Sequence, residues 1–313
     1  MLDDFSHAPI GPDLEKPRPA RAAFGYYGAK QRIASRIISL LPPHNAWVEA
    51  FCGSAAITVA KPSVPIEVIN DKDDEIVNLF TQIRTNSEAL CRAVALTPYA
   101  RSEFQKARAR SGGQDSLERA RQFLVATMMT VNGTVGSSRC GFSYSQSFAR
   151  EGKEARVSRW YNLPERLLRV VERLRTVRVE NRDARELIGM FAKRPATLMY
   201  LDPPYFVKRK HGYVIDANDK SFHEELLEAC LKAKCMLLIS GYENELYSAL
   251  LSPGRGWSRT EICTHTRDTS GTDYPKTEVL WHNKQFSKAQ STGKVPIRLS
   301  YKEHIENKIN PER

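Results

Sequence analysis

Four consecutive residues, Asp202-Pro203-Pro204-Tyr205, carry the most suggestive chemistry in this chain. The apolar run 197–201 before them reads as a short buried strand. Two prolines then forbid further ladder hydrogen bonding and fix φ twice, so the strand stops in a rigid extended loop. A carboxylate, a carbonyl with no N–H beside it and an aromatic ring are thereby set at the carboxyl end of a strand. In open α/β sheets that is where ligands bind. The set suits methyl transfer to the exocyclic amino group of a base. Such an amine is a poor nucleophile, because its lone pair is delocalised into the ring. An Asp oxygen and a backbone carbonyl can accept its hydrogens and localise that lone pair, and a Tyr face can stack on the base. Asp-Pro-Pro is also a common strand-end composition, so discrimination has to come from the rest of the chain.

A second group points the same way. Val48-Glu49-Ala50-Phe51-Cys52-Gly53-Ser54-Ala55 reads as a strand running into a tight turn and then a helix of small residues. Gly53 lets the backbone approach a ligand closely. Asp71 follows Gly53 by 18 residues, at the end of the next strand. That is the usual place for an acid accepting from ribose hydroxyls. A complete GxGxxG is absent, so a nucleoside without phosphates fits better than a dinucleotide. Upstream, Phe24-Gly25-Tyr26-Tyr27-Gly28-Ala29-Lys30 precedes a helix expected over 31–41. This segment either caps the core or forms a loop whose Tyr and Lys cover a cofactor, with Lys30 paired to a carboxylate.

The elements that must position these groups alternate. Strands are expected at 46–51, 66–69, 177–180, 197–201 and 236–240. Helices follow from 54, over 73–84 and over 184–191, and one over 222–233 precedes the fifth strand. The stretches 260–266 and 277–281, separated by a turn-rich segment, read as a closing antiparallel hairpin. The pattern predicts an α/β fold with a Rossmann-like, doubly wound sheet of seven strands, the last two antiparallel. Between 80 and 165 the pattern changes. Helices at 89–95, 102–110 and 117–130 lead into a loop, 131–142, rich in Gly, Ser and Asn. So large a loop inside one sheet is improbable, and the segment reads as an inserted domain. The expected organisation is a flexible tail at 1–22, a discontinuous ligand-binding domain at 23–79 and 166–283, the insert at 80–165, and a charged tail at 284–313.

Composition excludes several classes. The chain has 313 residues, 41% hydrophobic and 27% charged, as soluble globular proteins do. It shows no run of membrane-spanning length and no signal-peptide core. Six cysteines form no CxxC pair and seven histidines show no HExxH spacing. That argues for reduced thiols in a cytoplasmic protein and against a bound metal. The net charge of +11 suggests a polyanionic partner. Residues 80–165 hold thirteen basic side chains against seven acidic ones, more than half of that excess.

These pieces, in this order, resemble the Dam-like (D12, alpha-order) class of DNA adenine-N6 methyltransferases. The matching segments are Gly25-Tyr26-Tyr27-Gly28-Ala29-Lys30, Val48 through Ala55, Asn70-Asp71, Val179-Glu180-Asn181-Arg182-Asp183 and Asp202-Pro203-Pro204-Tyr205. Tyr26 stands where the family usually has Trp, and Ala29 and Ala55 where it usually has Gly. The resemblance implies S-adenosylmethionine (SAM) as methyl donor, with contacts at Tyr26, Lys30, Phe51, Gly53, Asp71, Asp183 and Asp202. It implies that an adenine flipped out of DNA is held by Asp202, Pro203, Pro204 and Tyr205. The insert becomes a target-recognition domain, in which Asn132, Ser138 and Arg139 are the expected DNA contacts. A cognate restriction endonuclease is a possible partner. Two alternatives stand beside this reading: an RNA base methyltransferase, and a DNA-binding homologue without activity. The large insert favours DNA, and the intact Asp202–Tyr205 stretch argues against an inactive chain.

Overall fold

The computed structural model describes residues 21–25, 30–109, 113, 115–131, 141–145, 149–150, 152–206, 219–267 and 273–296. In chain order, a 3-10 turn (Lys30–Arg32) leads into α1 (Ala34–Leu40), β1 (Ala46–Glu49), α2 (Ala56–Ala60), β2 (Ile66–Asn70) and α3 (Asp74–Thr85). Next come α4 (Ser87–Leu96), α5 (Arg101–Arg108), α6 (Ser116–Met128), a short ribbon of β3 (Ala149–Arg150) and β4 (Lys153–Glu154), α7 (Ala155–Tyr161) and α8 (Leu163–Leu174). The chain then runs β5 (Val177–Glu180), α9 (Ala184–Phe191), β6 (Thr197–Leu201), α10 (Lys220–Lys232), β7 (Met236–Gly241) and α11 (Glu245–Leu250). It closes with β8 (Trp257–Arg267), β9 (Asp273–Asn283) and α12 (Lys284–Thr292).

Seven strands form one sheet in the order β5-β2-β1-β6-β7-β9-β8. β5, β2, β1, β6 and β7 are parallel, while β9 is antiparallel to both β7 and β8. This is the α/β architecture the sequence pattern predicts. β1, β6 and β7 are buried along their whole length, which explains why they read as mainly apolar runs, with Glu49 the charged exception. Strand order reverses at β1. The chain moves outward through β2 on one side and outward from β6 on the other, so the crevice between the carboxyl ends of β1 and β6 is a topological switch point.

Helices cover both faces. α9, α10 and α11 pack on one through Leu187, Leu226, Leu227 and Tyr247. α1, α2 and α12 pack on the other through Ile37, Ile57 and Phe286 against Trp47, Leu198 and Leu238. A third apolar cluster joins α3 through α8 to the flank of the sheet at Ile69 and Val177. Phe24 belongs to it, with its ring edge-on to Phe123 at 5.4 Å between centroids.

Several boundaries differ from expectation. The helix after Gly53 is only Ala56–Ala60, because Gly53 (φ 47°) and Ala55 (φ 51°) are left-handed and Pro62 lies just beyond its end. The first helix starts at Ala34, since the chain takes a 3-10 turn at Lys30. The hairpin strands run farther, over Trp257–Arg267 and Asp273–Asn283. α7, α8 and α11 carry no expectation from the sequence reading, and α8 crosses residue 165. The segment from 284 begins with a packed helix rather than a tail. Asn283 caps α12 by accepting from Phe286 N–H at 3.1 Å and also accepts from Leu237 N–H, so the helix is fastened to β7. Ala22, assigned to the leading tail, is buried.

Candidate functional site

The carboxyl ends of the parallel strands carry the sequence-marked residues. The ladder continues past β1, where Ala50 N–H donates to Tyr200 O at 3.0 Å and Cys52 N–H to Asn70 O at 2.8 Å. The turn after β1 is thereby pinned between its neighbours. Asn70 strengthens this fixation: its amide donates to Ala50 O at 2.9 Å and Arg182 O at 3.1 Å, and its oxygen accepts from Arg182 N–H at 2.9 Å. One side chain staples the ends of β1, β2 and β5 together. Asn70 entered the sequence reading only as a neighbour of Asp71.

Asp71 closes over the Gly53 turn. Its carboxylate accepts from Gly53 N–H at 2.8 Å and from Asp73 N–H at 3.0 Å. Burial pushes its carboxyl up to about 6, against the pull of those two donors. Phe51 lies beside this turn, edge-on to Phe222 at 6.4 Å. Asp183 behaves differently. It caps α9 by accepting from Arg185 N–H at 2.9 Å, and both its oxygens are held by the Arg185 guanidinium, at 2.9 and 2.7 Å. Its carboxylate is held in place by its own helix.

The densest polar cluster surrounds Asp202. Lys30, buried to 6% exposure, places its ammonium 2.7 Å from both Asp202 oxygens. The same ammonium contacts the Tyr205 hydroxyl, sits 4.9 Å over the Tyr205 ring and lies 3.6 Å from Glu278. Tyr205 donates to Glu278 at 2.8 Å, and the Ser240 hydroxyl donates to the same Glu278 oxygen. The Tyr242 ring packs edge-on to Tyr205 at 4.4 Å, and Lys276 donates to its hydroxyl at 3.2 Å. Pro203 is buried beside Asp202.

Charge within this cluster is set by burial against pairing. Burial alone would lower the Lys30 pKa. Asp202 first and Glu278 second outweigh it, leaving Lys30 above the ordinary lysine value. Burial raises Asp202 to about 6; Lys30 works against that rise and Glu278 adds to it. Below Asp202 lies Glu49, whose carboxyl accepts from Thr58 N–H at 2.9 Å and from the Thr58 hydroxyl. Burial pushes Glu49 up to about 7, even with those donors. Among the described residues Lys30 is the ammonium set against Asp202 and Glu278, with Glu49 also near Asp202.

The structure thus brings Lys30, Asp202, Pro203 and Tyr205 together and puts Gly53, Phe51 and Asp71 at the neighbouring strand ends. Tyr26, Asn132, Ser138 and Arg139 lie outside the described residues. Glu278, Ser240, Tyr242 and Glu49 were missed as site residues. A signal for Glu278 existed: it is a lone acid beside Val279-Leu280-Trp281 in a strand that must be buried. Among the described residues no group of His, Cys, Asp and Glu is arranged to hold a metal ion, and no helix is long and apolar enough to cross a membrane.

Comparison with known proteins adds a family. A solved structure, a SAM-dependent methyltransferase from Agrobacterium tumefaciens, aligns with 83% of this chain at 11% identity and a TM-score of 0.37. The chain spans 63% of that protein's length, and the likeness bears on nothing further. No curated protein matches the chain. The family model for D12 class N6 adenine-specific DNA methyltransferases matches residues 26–260. That span runs from the Lys30 segment through Asp202 to β8, and Glu278 lies beyond it. On a match over three-quarters of its length, the chain belongs to the D12 class N6 adenine-specific DNA methyltransferase family.

Proposed function

We propose that this protein transfers a methyl group from SAM to N6 of an adenine flipped out of DNA. The observation that carries the reading is the buried cluster of Lys30, Asp202, Tyr205 and Glu278 at the carboxyl end of β6, beside the switch point. An exocyclic amine needs an acceptor that is ionised although desolvated. Lys30 supplies the positive charge that holds Asp202 ionised against burial. A carboxylate offers about four lone-pair positions, so the two Lys30 contacts leave capacity for an incoming N–H. The Pro203 carbonyl is a second acceptor fixed by its ring. Tyr205, anchored through its hydroxyl, supports the base by stacking.

The residues at the other strand ends fit SAM. Gly53 and Phe51 border the turn, and Asp71 offers a buried carboxyl to hydroxyl donors. Asp202 and Glu278 outnumber the Lys30 ammonium between them, which favours a cationic donor over an anionic one. SAM supplies an electrophilic methyl at a positive sulfonium. Asp183 caps α9 and pairs with Arg185, which fixes its carboxylate and leaves acceptor capacity for the cofactor. Thiol chemistry has no place here: burial raises the Cys52, Cys230 and Cys235 pKa values above the ordinary range, so these thiols stay protonated at neutral pH.

The test is transfer of a labelled methyl group to duplex DNA and, separately, to RNA, followed by nucleoside analysis. N6-methyladenine in DNA, absent with Asp202→Asn, supports the reading. Label confined to RNA overturns the substrate, and no transfer to either overturns the activity. Mapping N6-methyladenine after expression in a methylation-deficient host then gives the target sequence.

A further inference from the structure

Several arginines in the helical layer are paired. Arg119 meets Glu75 at 2.8 Å, Arg121 meets Glu103 at 2.9 Å, and Arg173 meets Glu67 at 2.6 Å. On α8 Arg169 is bound to Glu165, and Arg175, just past its end, to Glu172. Arg166, on the same helix, breaks the pattern. Its Nε and Nη2 atoms are buried and meet no hydrogen-bond partner among the described residues. Its charged neighbours are Arg159 on α7 and Arg21. Arg159 in turn neighbours Arg156, and Tyr99 is the other titratable group beside it. Among the described residues none of these four arginines has a carboxylate partner.

A partly buried guanidinium without acceptors is expensive, and placing others beside it costs more. Burial first, and then Arg159 and Arg21, lower the Arg166 pKa to about 10, which shows the sign of that cost. The cluster is also held in a defined place. A Cβ at Gly25 would lie 3.0 Å from Arg159 Nη2, so the chain passes directly over this guanidinium five residues before Lys30. The unpaired donors therefore stand beside the segment that delivers Lys30 to Asp202.

We infer that Arg159 and Arg166, with Arg21 and Arg156 beside them, form a seat for a phosphodiester of the DNA backbone. Planar guanidiniums suit phosphate oxygens: the exposed Arg21 and the half-buried Arg156 and Arg159 offer donors, and the phosphate charge offsets that of Arg166, partly buried beside them. Such a contact positions the duplex and reads no sequence. The inference rests on the proposed DNA substrate, yet it is read through binding alone, so it can fail or stand separately from methyl transfer.

The test compares Arg166→Gln with the wild type by fluorescence anisotropy of labelled duplexes of two unrelated sequences, over a range of potassium chloride concentrations. The expected result is affinity weaker by about tenfold or more on both duplexes. The slope of log affinity against log salt should be shallower by about 0.9, one phosphate contact. Thermal stability should be unchanged or higher, because a repulsive charge has gone. Arg175→Gln, removing equal charge from the far end of α8, should leave the slope unaltered. Unchanged binding by Arg166→Gln overturns the seat, as does an equal loss with Arg175→Gln. If Arg166→Gln instead lowers the melting temperature, Arg166→Lys decides. Binding restored by Lys supports the seat, and binding as weak as with Gln overturns it. Inorganic phosphate that stabilises the wild type, while Arg166→Gln binds DNA normally, marks a free-anion site and also overturns it.

Discussion

Lys30→Met isolates what the ammonium does for the cluster. In the folded protein it faces Asp202 at 2.7 Å and Glu278 at 3.6 Å, and all three groups are largely buried. Methionine keeps the stem volume and removes the charge. Two carboxylates then remain near one another without a counter-charge; Glu278 still has the Tyr205 and Ser240 hydroxyls, while Asp202 loses both Lys30 contacts and keeps Tyr205. Removing one partner of a buried ion pair typically costs about 3–5 kcal/mol. For a chain of this size that is a melting-temperature loss on the order of 6–10 °C.

The pH dependence tests the cause. Asp202 already has a folded pKa of about 6, above its unfolded value, with Lys30 present. Without Lys30 it moves higher. A carboxyl raised on folding binds its proton more tightly in the native state, so its stability contribution is full at low pH and is lost as pH rises through the folded pKa. The deficit of Lys30→Met against wild type should therefore be small near pH 4, grow through pH 6 and be largest near pH 8. Adding Asp202→Asn to Lys30→Met should recover most of it, because the two sites are in contact and non-additive. Urea unfolding of the four proteins across this range is the measurement. A deficit below about 1 kcal/mol near pH 8, or one independent of pH, would refute the pairing argument.

Three further outcomes follow from the same geometry. Asp202→Asn, which preserves shape at a strand end, should abolish methyl transfer while DNA binding persists; near-wild-type turnover would remove Asp202 from catalysis. Asp71→Ala should weaken SAM binding by about 1.5–3 kcal/mol, the range for a hydrogen bond to a charged group, and calorimetry showing unchanged affinity would exclude it. Glu49, buried with its carboxyl raised to about 7, should make wild-type stability fall by about 3 kcal/mol between pH 4.5 and 7.5; Glu49→Gln, with the Thr58 N–H still satisfied, should flatten that stretch, and identical pH profiles would contradict the assignment.

How much of this was legible beforehand depended on whether a residue's role was local. Asp202-Pro203-Pro204-Tyr205 declares itself because prolines end the strand within two residues, wherever the rest of the chain goes. Gly53 and Asp71 are likewise readable, since the strand–turn–helix unit that joins them is contiguous. The pairing of Lys30 with a carboxylate could be raised from sequence as one option, but its partner is 172 residues away and only the sheet order brings them together. Glu278 is further removed still. Its strand pairs antiparallel with β7 in a register that sets Gly241 opposite Val279, so Glu278 lies just past the end of β7, beside Tyr205. The hairpin strand expected over 277–281 contains Glu278, but the sequence does not show which strand it pairs with or that the pairing brings it to Tyr205. Asp183 has a local role besides its place in a family motif: it caps α9 and pairs with Arg185, two residues on.

The same distinction explains the boundaries. α12 begins in a polar stretch of the sequence, and what makes it part of the fold is two apolar side chains, Phe286 and Ala289, together with the Asn283 cap that reaches Leu237 N–H and Cys235 O on another strand. Composition averages over such sparse anchors. Sparse anchoring also accounts for the Arg166 cluster. Its arginines look, in sequence, like the others in α7 and α8, and the difference lies only in which acids the fold withholds. On and just past α8, Arg169 and Arg175 find glutamates three or four residues away, by helical spacing that sequence can show. Arg166 has Arg159, on a different helix, as its charged neighbour instead. A charge that its own helix could have neutralised, and does not, is a stronger mark of an external anion than the chain's overall +11. The net charge says that a polyanion is welcome somewhere, and the unpaired guanidiniums say at which point on the surface it is held.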